Sequence, residues 1–108
     1  MNLSIKEFYH QTQNLTGEYF PAAKLETQEI NQFRLKIRIT LSSTSFIDIF
    51  YGVRKTRIDF ALIKEGKRTF GIDNLSGWHR HPLNKPDCHE FIKEMSLQEI
   101  FSQLAKNV

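Results

Sequence analysis

The chain has 108 residues and a formal net charge of +3, from 15 Lys+Arg against 12 Asp+Glu. That length suits one domain spanning 1–108, and 40% hydrophobic residues with nine phenylalanines supply a core that needs no staples. A single cysteine, Cys88, excludes an internal disulfide framework and points to a reducing compartment.

The first residues, Met1 to Glu7, carry no apolar run of the signal-peptide kind, and no uninterrupted apolar stretch is long enough to span a bilayer. The expectation is a cytoplasmic protein without a membrane partner. Mild basicity permits a polyanionic partner without demanding one. Its distribution says more: Arg34, Lys36, Arg38, Arg54, Lys55 and Arg57 fall in one segment, with Asp48 the acid among them.

In chain order, Ser4-Ile5-Lys6-Glu7 has the form of a capping box. Apolar residues at Ile5, Phe8, Tyr9 and Leu15 then predict a helix over about 4–15, with Gly17 as its stop. Pro21 breaks any helix in the next stretch, and Ala22 to Ile30 is a candidate edge strand. In 33–41, Phe33, Leu35, Ile37, Ile39 and Leu41 alternate with Arg34, Lys36, Arg38 and Thr40. This period of two predicts a strand with one buried face and one basic, wet face.

Ser42 to Ser45 turns the chain, and Phe46–Val53 reads as the antiparallel partner. Arg57–Lys64 is a third strand of this series. Glu65-Gly66-Lys67 is a turn, and Arg68–Ile72 is a fourth strand with Asp73-Asn74 at or just past its end. A second capping box, Ser96 to Glu99, opens a helix over about 96–106 whose stripe is Leu97, Ile100, Phe101 and Leu104. The fold class expected is α+β: one two-layer domain, an antiparallel meander of four or five strands with an N-terminal and a C-terminal helix.

Between the last strand and the last helix the chain lacks regular periodicity and gathers unusual chemistry. It holds His79, His81 and His89, with Trp78, Arg80, Asp87 and Cys88. Three readings suit these residue types. In the first, His79 and His81 are base and acid in metal-independent cleavage of RNA, with His89 as the alternate. Residues two apart on an extended segment face the same side. Arg80, Arg54 and Arg57 would bind phosphate, and Trp78 would stack on a base.

In the second reading, His79, His81 and His89 ligate a transition metal, with Cys88 or Asp87 as a fourth ligand. In the third, the tryptophan and histidines seal the end of the sheet and Asp73-Asn74 is ordinary turn chemistry. The basic strand also admits a binding module without catalysis, for RNA or for protein. Asp48 and Asp59 read as solvent-face carboxylates, and His10 as a solvent-facing helix residue.

The run from Arg68 into Asp73-Asn74, then a histidine- and proline-bearing segment, resembles the TumE family of small bacterial and archaeal toxins. The Leu41 to Ser45 hairpin turn and the Ser96-Leu97-Gln98-Glu99-Ile100 helix start agree with that family's layout. The histidines here are more spread than in the family, and Arg68 stands nearest its arginine. The resemblance implies a ribonuclease toxin paired with a helix-turn-helix antitoxin. It implies catalytic roles for His79, His81 and His89, with Asp73 orienting a histidine and Asn74 positioning substrate or the turn. No cofactor is expected, and an exposed strand edge permits a homodimer.

Overall fold

The computed structural model describes residues 1–82, 88 and 90–108. Helix α1 (Ile5–Tyr19) and helix α2 (Leu97–Asn107) lie on one face of a sheet. The sheet strands are β1 (Lys24–Ile30), β2 (Arg34–Thr40), β3 (Ser45–Gly52), β4 (Arg57–Lys64), β5 (Lys67–Asp73), β6 (His79–His81) and β7 (Glu90–Phe91). All pairs are antiparallel and the spatial order follows the chain, so the sheet is an unbroken seven-stranded meander. The class is α+β, with seven strands where four or five were expected. β6 and β7 have three and two residues, too short to show a period in sequence.

Both helices start as their residues dictate. The Ser4 and Ser96 hydroxyls accept from the amides of Glu7 and Glu99, whose carboxylates accept in return from the cap amides. These backbone contacts hold both glutamates below the usual carboxylate range. α1 does not stop at Gly17 but runs to Tyr19. Phe20 ends it, because a residue before proline is pushed out of the helical region, and Phe20 sits at φ −137°, ψ 64°.

Alternation builds the core. Leu35, Ile37 and Ile39 of β2 align with Tyr51, Ile49 and Ile47 of β3, and these with Ile58, Phe60 and Leu62 of β4. All nine are buried beneath the helices, where each side chain of this kind contributes about 1.5–3 kcal/mol. Phe8 stacks on Tyr51 with centroids 4.1 Å apart, and Phe101 meets Phe60 edge-on at 6.1 Å. The Tyr51 hydroxyl donates to the Leu3 carbonyl at 2.6 Å and accepts from its amide at 3.1 Å, which ties the N-terminal segment to the sheet. No helix among the described residues is long and apolar enough to cross a membrane.

The opposite face has no helix on it. Its rows cross the strands: Lys36, Phe50, Asp59, Asp73 and His79 form one, and Arg38, Asp48, Ala61, Gly71 and His81 the next. The candidate site residues Asp73, His79 and His81 stand at the β5–β6 end of these rows.

Candidate functional site

Asp73 closes β5, and its Oδ1 accepts from the Leu75 amide at 3.0 Å, which fixes the carboxylate as the chain turns. Asn74 anchors the same corner. Its Oδ1 accepts from the Ile58 amide at 2.9 Å and its Nδ2 donates to the Thr56 carbonyl at 2.7 Å. That amide holds the start of β4 against the end of β5, so Asn74 fixes the turn.

The chain returns as β6, with His79 opposite Asp73 and His81 opposite Gly71. Both imidazoles are nearly buried, at 6% and 3% exposure. Their rings meet edge-on with centroids 5.1 Å apart. The His81 Nε2–H donates to Asp73 Oδ2 at 3.2 Å, and His79 Nε2 lies 3.1 Å from the same oxygen.

The other ring nitrogens face different partners. His79 Nδ1–H donates to the Gly77 carbonyl at 3.0 Å. A carbonyl only accepts, so Nδ1 carries a proton, while Nε2 faces the Asp73 carboxylate. At His81 the partner is a donor: Arg68 Nη2–H donates to Nδ1 at 3.2 Å. A guanidinium only donates, so His81 carries its proton on Nε2. The two histidines thus converge on one carboxylate through Nε2 and differ in their partners at Nδ1.

Two local devices make this possible. Strict alternation along β5 would send Arg68 to the core side with Phe70. The pairing instead jumps from Leu62↔Phe70 to Ile63↔Arg68. That bulge turns Arg68 to the open face, as bulges beside functional sites do. Gly71 supplies the space: a Cβ there would lie 3.1 Å from the Phe60 carbonyl and 3.4 Å from His81 Cδ2. The His81 ring therefore packs against bare backbone.

The histidines and Asp73 open on a cavity of about 400 Å³ whose wall also includes Arg57, Arg68 and Asp59. Asp59, read from sequence as a solvent-face carboxylate, is half-buried beside Asp73 in the cross-strand register. Burial, reinforced by the Asp73 charge, pushes its carboxyl above the usual range, against the pull of Arg57, Arg68 and His81. Phe91 completes the rim, opposite His79 in register and 81% exposed. Sequence reasoning passed over Phe91 and Asp59. The signal for Asp59 was its place one strand from Asp73, which only the register reveals.

Other expected site residues lie apart. The alternation that turns His79 and His81 to the open face turns Trp78 and Arg80 to the helix side. Trp78 packs on the core, and Arg80 aligns with Ile72 and pairs with Glu90 at 2.8 Å. Trp78 and Arg80 therefore lie away from the histidine cavity, whose wall includes Phe91 and Arg68. Arg57 lines the histidine cavity, whereas Arg54 lies over Phe33 in a neighbouring cleft. His89 and Asp87 lie outside the described residues, Cys88 is exposed, and His10 is an exposed helix residue.

One donor atom from each of Asp73, His79 and His81 falls within 4.8 Å of the others, a spacing that a metal ion could bridge. His79 holds its Nδ1–H on a carbonyl, as metal-ligating histidines do. His81 does not. Arg68 at Nδ1 leaves the proton on Nε2, the nitrogen a metal would need, and sets a fixed positive charge beside the site.

In comparisons with known proteins, no family model, no curated protein and no solved structure matches this chain.

Proposed function

We propose that this chain is a cytoplasmic toxin of a toxin–antitoxin pair that cleaves RNA by metal-independent acid–base chemistry. The convergence of the His79 and His81 Nε2 atoms on Asp73, beside a cavity whose wall includes Arg57 and Arg68, carries this reading. Transesterification needs a group that takes a proton beside a group that gives one. His79 Nε2 removes the proton from a 2′-hydroxyl. The 2′-oxygen then bonds to phosphorus as the bond to the 5′-oxygen breaks. His81 acts as the acid once its Nδ1 has taken a second proton and released Arg68: it gives its Nε2 proton to that leaving oxygen and returns to the neutral ring, and a 2′,3′-cyclic phosphate and a 5′-hydroxyl result.

Asp73 is the positioning residue: it holds His81 and sets a negative charge beside the imidazolium that forms at His79. Arg57 and Arg68 face the phosphate, and Phe91 offers a surface to the adjacent base. The toxin role and a helix-turn-helix antitoxin partner rest on the resemblance to the TumE family.

Incubating the purified protein with single-stranded RNA in excess chelator tests the chemistry. Cyclic-phosphate and 5′-hydroxyl ends are expected, with the rate falling about 10²–10⁴-fold in His79→Ala and in His81→Ala. Full activity in both variants overturns the assignment. A second reading, a metal-dependent hydrolase, draws on the convergence of the three donor atoms. It predicts stoichiometric metal in untagged protein and activity lost to the chelator.

A further inference from the structure

A second cleft, of about 370 Å³, opens on the same sheet face beside the β3–β4 connection. Its walls are the Phe33 and Phe50 rings, each with a guanidinium laid over it: Arg54 at 4.5 Å from the Phe33 centroid and Arg34 at 5.5 Å from that of Phe50. Phe33 is 40% exposed, so its ring face is open to a ligand. Gly52 contributes by what it lacks. A Cβ there would stand 3.3 Å from Phe50 Cε1 and Cζ, so the absent side chain lets the ring lie down over the strand.

Arg57 joins this cleft to the histidine cavity, since it lines both. Its Nε is buried without a hydrogen-bond partner among the described residues, and its Nη2 reaches Asp59 only at 3.8 Å. The fold thus holds this guanidinium loosely, where an anion would complete its bonding. Phe50 stands three strands from His79 along one row, or about 14 Å at the usual strand spacing. That span suits a strand laid across the sheet with its bases unpaired.

We propose that the Phe33–Phe50 cleft is a nucleobase subsite for single-stranded RNA, with Arg57 holding the phosphate that links it to the reacting one. This rests on the ribonuclease reading of the histidine site. Planar aromatic and guanidinium surfaces stack unpaired bases, whereas a duplex keeps its faces internal. Lys36, Lys55 and the arginines supply the charge that a backbone requires. The strand sits over the open face, and its selectivity is for unpaired RNA of any sequence that stacks.

Binding of a short 2′-O-methyl single strand separates this site from the chemistry, because that strand lacks the attacking hydroxyl. Phe33→Ala and Arg54→Gln are each expected to weaken its binding about 5- to 100-fold, with duplex binding weak in every protein. Gly52→Ala, which crowds the Phe50 ring, is expected to act in the same direction. Thermal melting confirms that the exposed Phe33→Ala variant folds.

Unchanged affinity in Phe33→Ala and Arg54→Gln, equal binding of the duplex, or no binding of any RNA overturns the subsite. The two readings fail separately. Phe33-dependent binding without cleavage of unmodified RNA removes the ribonuclease and leaves the subsite. His79-dependent cleavage that ignores Phe33 and Arg54 does the reverse.

Discussion

The two faces of this sheet are built from alternate residues of the same strands and differ sharply in chemistry. On the helix side, aligned rows of Ile, Leu, Phe and Tyr are sealed beneath α1 and α2, and nothing polar interrupts Ile37, Ile49 and Phe60. On the open side, the neighbouring row runs Lys36, Phe50, Asp59, Asp73 and His79, with charge and aromatic surface alternating across strands. The covered face stabilises the domain. The open face carries groups that would be costly to bury without partners, such as Asp73 and two imidazoles, and supplies those partners from within. Stability and chemistry are thereby separated by the thickness of one sheet.

The separation can be broken from the covered side with the largest effect. Phe60→Ala removes a ring that touches both Phe8 and Phe101 and should cost about 3–5 kcal/mol in denaturant unfolding. The folded fraction that remains should keep, per molecule, the RNA cleavage proposed for the histidine site. A rate that falls far more than the folded fraction would show the two faces to be coupled.

Gly71→Ala sharpens the boundary, because the added methyl meets the Phe60 carbonyl of the core strand and the His81 ring together. An overpacking cost of about 1–3 kcal/mol is expected. The His81 side-chain signals in a nuclear magnetic resonance spectrum should shift more than those of core methyl groups. A change confined to the core methyls would place the strain on the wrong side.

The smallest effect is expected at Asp59. Its carboxyl stands above the usual range in the folded protein because burial and Asp73 disfavour the charge. The folded state therefore holds its proton more tightly than the unfolded chain does. This contribution to stability is present below the ordinary carboxylate range and is lost as pH rises through the raised folded-state value. Asp59→Asn should therefore gain stability relative to the native protein at neutral pH and little at strongly acid pH, a small difference readable by thermal melting. An equal change at both pH values would mean that Asp59 titrates normally.

Alternation in residues 33–64 and the two capping boxes sufficed to place β2, β3, β4 and both helix starts, because local periodicity and local hydrogen bonds are properties of neighbouring residues. The same rule put His79 and His81 on one side of an extended segment. It erred at Gly17, where no tertiary demand stops the helix and Pro21 four residues later does. It counted too few strands, because β6 and β7 exist only by pairing with β5 and with each other.

The composition and residue order alone determined an α+β domain with one apolar sheet face, and identified Asp73 and the histidines as the unusual chemistry. Tertiary structure decided what surrounds them. The register set Asp73 against His79 and Asp59, and a bulge turned Arg68 to His81. Strand alternation sent Trp78 and Arg80 to the far face and left Phe91 beside the site. Those are contacts between strands, and cross-strand register is fixed by the assembled sheet, which no stretch of neighbouring residues encodes.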